Sequence, residues 1–167
     1  MQKLTREEKI VLEIQNNPGI RFRELMKMVG ITNGIMSYYI QKLEKIGIIF
    51  VHRQAGIARL FTNDINSSEI NLIQYLRTPT TKKIMVSLLA EDHLKFKQIT
   101  ETIQMSPSTT SFYLKKLVSS KIVNVSGSFP KVYSLLMKEK ISNLIVLYHP
   151  DIVDSASTNL ADIFSAY

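Results

Sequence analysis

Cysteine and tryptophan are both absent from the 167 residues of this chain. Without thiols there is no disulfide, no thiolate metal site and no cysteine nucleophile, and the composition fits a reducing cytosol. Glycine and proline are scarce, at six and five, so each reads as punctuation between elements and not as part of a low-complexity stretch. No apolar run approaches the roughly 18 residues of a membrane span, and the opening MQKLTREEKI lacks the apolar core of a signal peptide. A soluble, cytoplasmic protein is expected. Catalytic signatures are missing as well. His52, His93 and His149 lie far apart, and neither an HExxH, a paired metal-ligand spacing nor a Gly-rich phosphate loop occurs. The expectation is a protein with no enzymatic activity, metal or cofactor, and with no recognisable small-molecule effector site.

What is present is an ordinary globular composition, 45% hydrophobic and 21% charged, with enough apolar residues for more than one small core. The formal charge of +7 points to an anionic partner, and its distribution says more than its size. Residues 1–66 hold ten Lys and Arg against six Asp and Glu, residues 67–140 eleven against five, and residues 141–167 none against three. Two basic blocks therefore precede a mildly acidic, apolar tail.

Self-similarity supports that division. Residues 9–51 align without a gap on residues 83–125 at an offset of 74, and nine of the 43 pairs are identical, Phe22/Phe96, Ser37/Ser111, Tyr39/Tyr113, Lys42/Lys116 and Leu43/Leu117 among them. The same small unit is expected twice.

Local signals define the unit. Thr5-Arg6-Glu7-Glu8 is a capping box that opens a helix with Ile10, Val11 and Ile14 inward, and Asn17-Pro18-Gly19 ends it. A short extended stretch leads to a second helix from about Arg23 to Val29, which Gly30 breaks. Thr32 is the expected N-cap of the third helix, and its counterpart Ser106 is followed by Pro107 at the first helical position, where a missing N–H costs nothing. Strand-like residues follow: Ile48 to Val51, a turn over Arg53 to Ile57 and a return from Ala58 to Thr62; in the second copy, Ile122 to Val125, a tip over Ser126 to Pro130 and a return through Leu135. Three helices and a hairpin are the order of a winged helix-turn-helix domain, with the hairpin as the wing.

ITNGIMSYYIQKLEKIGII and MSPSTTSFYLKKLVSSKIV resemble the recognition-helix stretch of ArsR-type and MarR-type winged-helix repressors, with Tyr39 and Tyr113 where those families often carry His and with Lys121 in place of the exit glycine. The tandem layout is also similar to that of two-domain archaeal winged-helix regulators. The resemblance spans about residues 5–136 and implies a DNA-binding transcription regulator. The predicted fold class is mainly α with small β-hairpins (α+β): a first winged domain over 1–63, a partly helical linker over 64–78, a second winged domain over 79–136 and a helical tail over 137–167.

On a helical wheel of about 3.6 residues per turn, Met36, Tyr39, Ile40 and Leu43 of the third helix (about 33–46) face the core. The opposite face carries Gly34, Tyr38, Gln41 and Lys45, flanked by Asn33, Ser37 and Lys42. The second copy (about 107–120) offers Ser108, Ser111, Phe112, Lys115 and Lys116. Small side chains admit a helix to the major groove, amides pair with base edges, and lysines neutralise phosphates. Arg53 and Arg59 on the first wing and Lys131 on the second suit contact with the backbone or the minor groove. From Ile141 onward the tail has no Lys or Arg, so it is expected to join two copies as a homodimer, through two amphipathic helices broken at His149-Pro150. A tandem winged-helix module that binds protein and not DNA is the competing reading, and exposed Ile35 and Phe112 are what it predicts.

Overall fold

The computed structural model describes residues 4–148 and divides into two compact units, one ending at Ile73 and the other beginning at Gln74. The first unit opens with α1 (Arg6–Asn16), whose capping box forms as the sequence implies. The Thr5 backbone N–H donates to Glu8 Oε2 at 2.8 Å, and the Thr5 hydroxyl accepts from the Glu8 N–H at 3.2 Å. Helix α2 (Phe22–Val29) ends at Gly30 in the left-handed conformation, and α3 (Asn33–Lys45) follows Thr32, an N-cap by backbone geometry that makes no side-chain cap bond. The apolar spacing of these helices delivers Ile10, Ile14, Leu25, Val29, Met36, Ile40 and Leu43 to one buried cluster, joined by Ile49 and Leu60 of the wing. Each such side chain contributes on the order of 1.5–3 kcal/mol through removal from water.

Strands β1 (Ile49–Gln54) and β2 (Ile57–Thr62) pair antiparallel from Ile49↔Thr62 to Gln54↔Ile57. The turn between them is two residues, Ala55 and Gly56, both at positive φ, the conformation that suits the twist of a tight hairpin. The expected turn over Arg53 to Ile57 is thus shortened, with Arg53, Gln54 and Ile57 taken into the ladder. On its other edge β2 meets Gly19 and Ile20: the Gly19 N–H donates to the Leu60 carbonyl at 2.8 Å and the Leu60 N–H to the Ile20 carbonyl at 3.0 Å. Gly19 has φ +74, and a Cβ there would stand 3.1 Å from Ile73 Cγ2 and 3.3 Å from Phe61 Cζ, so the close approach demands glycine.

Helix α4 (Ser67–Leu76) crosses the division between the units. The second unit repeats the first: α5 (Pro79–Ala90), β3 (Leu94–Lys95), α6 (Phe96–Ile103), α7 (Pro107–Ser119), β4 (Val123–Ser126) and β5 (Val132–Leu135). Its sheet has the order β3-β5-β4, with Leu94↔Tyr133 and Val125↔Tyr133 in register. Leu94 is the repeat partner of Ile20, so the extended stretch lies on the returning wing strand in both copies. Ser106 caps α7 by accepting from the Thr109 N–H at 3.2 Å, with Pro107 at the first position. Helix α8 (Lys138–Tyr148) buries Ile141, Leu144 and Ile145 and leaves Val146 and Leu147 exposed. The break at His149-Pro150 and the second tail helix predicted beyond it lie outside the described residues.

Candidate nucleic-acid interface

Helix α3 is held by Met36, Ile40 and Leu43, so its opposite side is left to solvent. Asn33, Gly34, Tyr38, Gln41, Lys42 and Lys45 are exposed there and Ser37 is half-buried. Helix α7 is anchored by Thr110, Leu114 and Leu117. It exposes Ser108, Phe112, Lys115 and Lys116, with Ser111 half-buried. Each helix carries an edge-on aromatic pair at the same repeat position: Tyr38 with Tyr39 at 5.3 Å, Phe112 with Tyr113 at 5.2 Å. The outer ring of each pair stands in water, Tyr38 at 61% and Phe112 at 55% exposure. Such a face carries base-edge donors and acceptors, hydroxyls for phosphate and cationic ends on flexible stems, on a helix narrow enough for the major groove.

The lysines of the two helices differ in their electrostatic surroundings. Lys42 makes an ion pair with Glu7 of α1, which raises the lysine pKa above its ordinary value chiefly through the hydrogen bond to that carboxylate. In the second unit the residue 74 positions on from Glu7 is Thr81, a buried hydroxyl that donates to the carbonyls of Thr78 and Tyr75. Lys116 therefore has no carboxylate at that place, and its Nζ lies 4.4 Å from the Phe112 ring centroid, an attraction of order 0.5–1 kcal/mol at an exposed site.

On the first wing Arg53 is exposed, as a residue of β1 instead of the turn. Arg59, expected beside it as a nucleic-acid contact, requires correction: it is 4% exposed, and its Nη1 donates to the Gly19 carbonyl at 2.8 Å. The reason is the packing of β2, which is buried from Arg59 onward and flanked by β1 on one edge and by Gly19 and Ile20 on the other. Arg59 pairs with His52 in the ladder, in the returning strand where the sequence places it, but at the point where that strand becomes buried. The guanidinium holds the Gly19 carbonyl inside the fold and is not presented at the wing surface. On the second wing Lys131 is exposed as expected, near Phe129, which composition and periodicity place only within the turn and which is 95% exposed. An aromatic residue at a hairpin tip, flanked by serine, glycine and proline, was the available signal.

Among the described residues no three His, Asp or Glu side chains stand together as a metal site, and no helix is long and apolar enough to cross a membrane. His52 packs edge-on against Phe61 at 6.4 Å.

Residues 4–49 match the family model described as winged helix-turn-helix DNA-binding, and residues 79–125 match that of the bacterial regulatory protein arsR family. Both matches contain the third helix of their unit. No curated protein is detectably similar in sequence over the chain. Similar solved structures include HlyU from Vibrio cholerae N16961, at 24% identity and TM-score 0.44 over 51% of this chain and 97% of HlyU. A MarR family transcriptional regulator from Silicibacter pomeroyi aligns at 26% identity and TM-score 0.38, over 60% of this chain and 80% of its own. ScpB from Mycobacterium tuberculosis aligns at 10% identity and TM-score 0.30, over 86% and 98%.

Proposed function

Because the chain carries two winged helix-turn-helix domains of the kind found in transcription regulators, we propose that it binds double-stranded DNA with sequence preference and regulates transcription, with α3 and α7 as its reading helices. The observation that carries this reading is the exposed face of α7. It presents Ser108, Ser111, Phe112, Lys115 and Lys116, and α7 contains no acidic residue at all. Helix α3 supports it with Asn33, Tyr38, Gln41 and Lys45, its one acid, Glu44, standing at the last turn. Gln41 is the residue suited to pair with a base edge, since a side-chain amide is both donor and acceptor. The lysines supply the sequence-independent share through release of counterions from phosphates. Arg53 and Lys131 add contacts from the wings. The role asks for no catalytic group and we assign none; a cytoplasmic location follows from the role.

Two copies acting together would pair two sets of reading helices, and exposed Val146 and Leu147 at the end of α8 support a homodimer formed there and along the tail.

The test is duplex binding across salt. A reading head that neutralises several phosphates loses affinity steeply as salt rises, with a slope of about −0.9 per phosphate in log–log form. Lys116→Glu is expected to weaken binding on all sequences and to flatten the slope by about one, while Gln41→Ala relaxes the ranking of sites. Wild-type protein whose binding ignores salt, or which binds no duplex, would overturn the proposal. It would leave a protein-docking role for the exposed Ile35, Tyr38 and Phe112.

A further inference from the structure

We propose that Phe129, at the tip of the second wing, is a wedge for the minor groove of duplex DNA, entering one base step beside the major groove that α7 reads. This rests on the DNA-binding role proposed above and adds to it a second readout, of deformability instead of base edges. At 95% exposure, Phe129 is the most solvent-exposed of the large apolar side chains in the described residues. It stands in the turn between the end of β4 and the start of β5, the only large apolar side chain of that turn besides Pro130. Exposure alone would fit any apolar partner; the surroundings narrow the choice.

From Met105 to Met137 there is no Asp or Glu, and Lys115, Lys116, Lys121 and Lys131 all fall in that stretch. Helix α7 and its wing therefore contribute only cationic and neutral side chains. Beside Phe129 the turn carries Pro130 and, around the two, Ser126, Ser128 and Lys131, the last three each exposed and each a hydrogen-bond donor. An apolar protein pocket would have to desolvate all three around the ring. The minor groove offers them acceptors instead: adenine N3 and thymine O2 on its floor, phosphates along its walls. Apolar wedges that unstack a step and kink the duplex are an established way for proteins to bind that groove, and pyrimidine–purine steps are the ones that open most easily. The first wing has Ala55 and Gly56 at its tip, neither able to reach into a stack, so the wedge belongs to the second unit alone.

The chain holds no tryptophan, so Phe129→Trp in the whole chain introduces a single indole reporter at the wing tip. The duplex is one selected by the protein from a random pool, with the fluorescent base 2-aminopurine moved through it one position at a time. The expected result is quenching of the introduced indole on binding and a fluorescence rise from 2-aminopurine at one pyrimidine–purine step at a constant distance from the bases α7 protects. Phe129→Ala should lose that rise and bind roughly tenfold more weakly, the scale of one lost base–aromatic stack, with an unchanged salt slope, because the ring neutralises no phosphate. Phe129→Leu, still an apolar wedge, should fall between. If Phe129→Ala binds like the wild type with the same 2-aminopurine profile, or if the indole emission of Phe129→Trp is indifferent to DNA, the wedge is disproved while DNA binding stands. Absence of salt-dependent duplex binding by the wild type would remove the wedge together with the role it depends on.

Discussion

Glu7 and Thr81 occupy the same place in the two copies, and the choice between a carboxylate and a hydroxyl decides how much of a neighbouring lysine's charge is available to a phosphate. Lys42 is engaged by Glu7, whereas Lys116 lies over Phe112. Both lysines are solvent-exposed, so the effect on stability is small and the effect on a polyanion is the one to measure. Glu7→Gln is expected to strengthen duplex binding and to steepen the salt slope by up to about 0.9, one additional phosphate neutralised. An unaltered slope would mean that Lys42 does not meet the backbone. Arg59 teaches the converse lesson: a basic residue near a wing tip in sequence is a buried strut in space, because one backbone carbonyl, that of Gly19, lies within its reach at 2.8 Å. Burying such a donor without its acceptor would cost roughly 1–3 kcal/mol, which ties the guanidinium to the fold.

Elements of the two copies share backbone conformations that their sequences do not share. Gly30 and Gly47 have φ near +73 and +74, and their counterparts Gln104 and Lys121 both sit at +55, in the left-handed region without being glycine. The repeat has kept the turn and lost the residue that adopts it freely, which costs about 1–2 kcal/mol at each site. Lys121→Gly is therefore expected to stabilise the second unit by roughly 0.5–1 kcal/mol, after the extra entropy of glycine in the unfolded chain is deducted. A lowered denaturation midpoint would contradict this. The start of α1 makes a second prediction. The Glu8 carboxyl is held below its ordinary 4.5 first by the Thr5 backbone N–H and then by the Thr5 hydroxyl. A carboxylate with a depressed folded-state pKa contributes stability that is complete above the unfolded value and fades as pH falls through the lower, folded one. Wild-type protein should accordingly unfold at higher urea than Glu8→Gln near neutral pH, and the gap should close on acidification below about pH 4. A gap independent of pH would show that the ionised cap is not its source.

For the whole molecule, the question is how many copies meet one site. Helix α8 spends Ile141, Leu144 and Ile145 on burial within the chain and keeps Val146 and Leu147 outward, continuous with the apolar tail. Truncation after Tyr148 leaves the buried side of α8 intact and is expected to halve the mass seen by light scattering. A cut after Lys140 would remove the three buried residues as well, each worth about 2–5 kcal/mol by comparison with truncation to alanine, and would confuse unfolding with loss of a dimer. An unchanged mass after the Tyr148 cut would remove the tail from the interface. A shortened footprint on the selected duplex should accompany monomer formation, since a dimer brings four reading helices and a monomer two.

Periodicity, capping residues and the offset of 74 determined on their own that two three-helix units with wings follow one another, because apolar spacing and cap chemistry act over a few residues and are written where they act. They also sorted the α3 and α7 residues into inward and outward faces, since a helix with a stated buried side leaves only one other. Tertiary structure alone decided which of the cations expected to meet DNA are engaged within the fold. Glu7 reaches Lys42 across 35 residues, and Gly19 reaches Arg59 across 40. Contacts of that separation depend on where strands and helices are set against each other, and the burial of β2 from Arg59 onward follows from what packs on that strand, which local composition does not express.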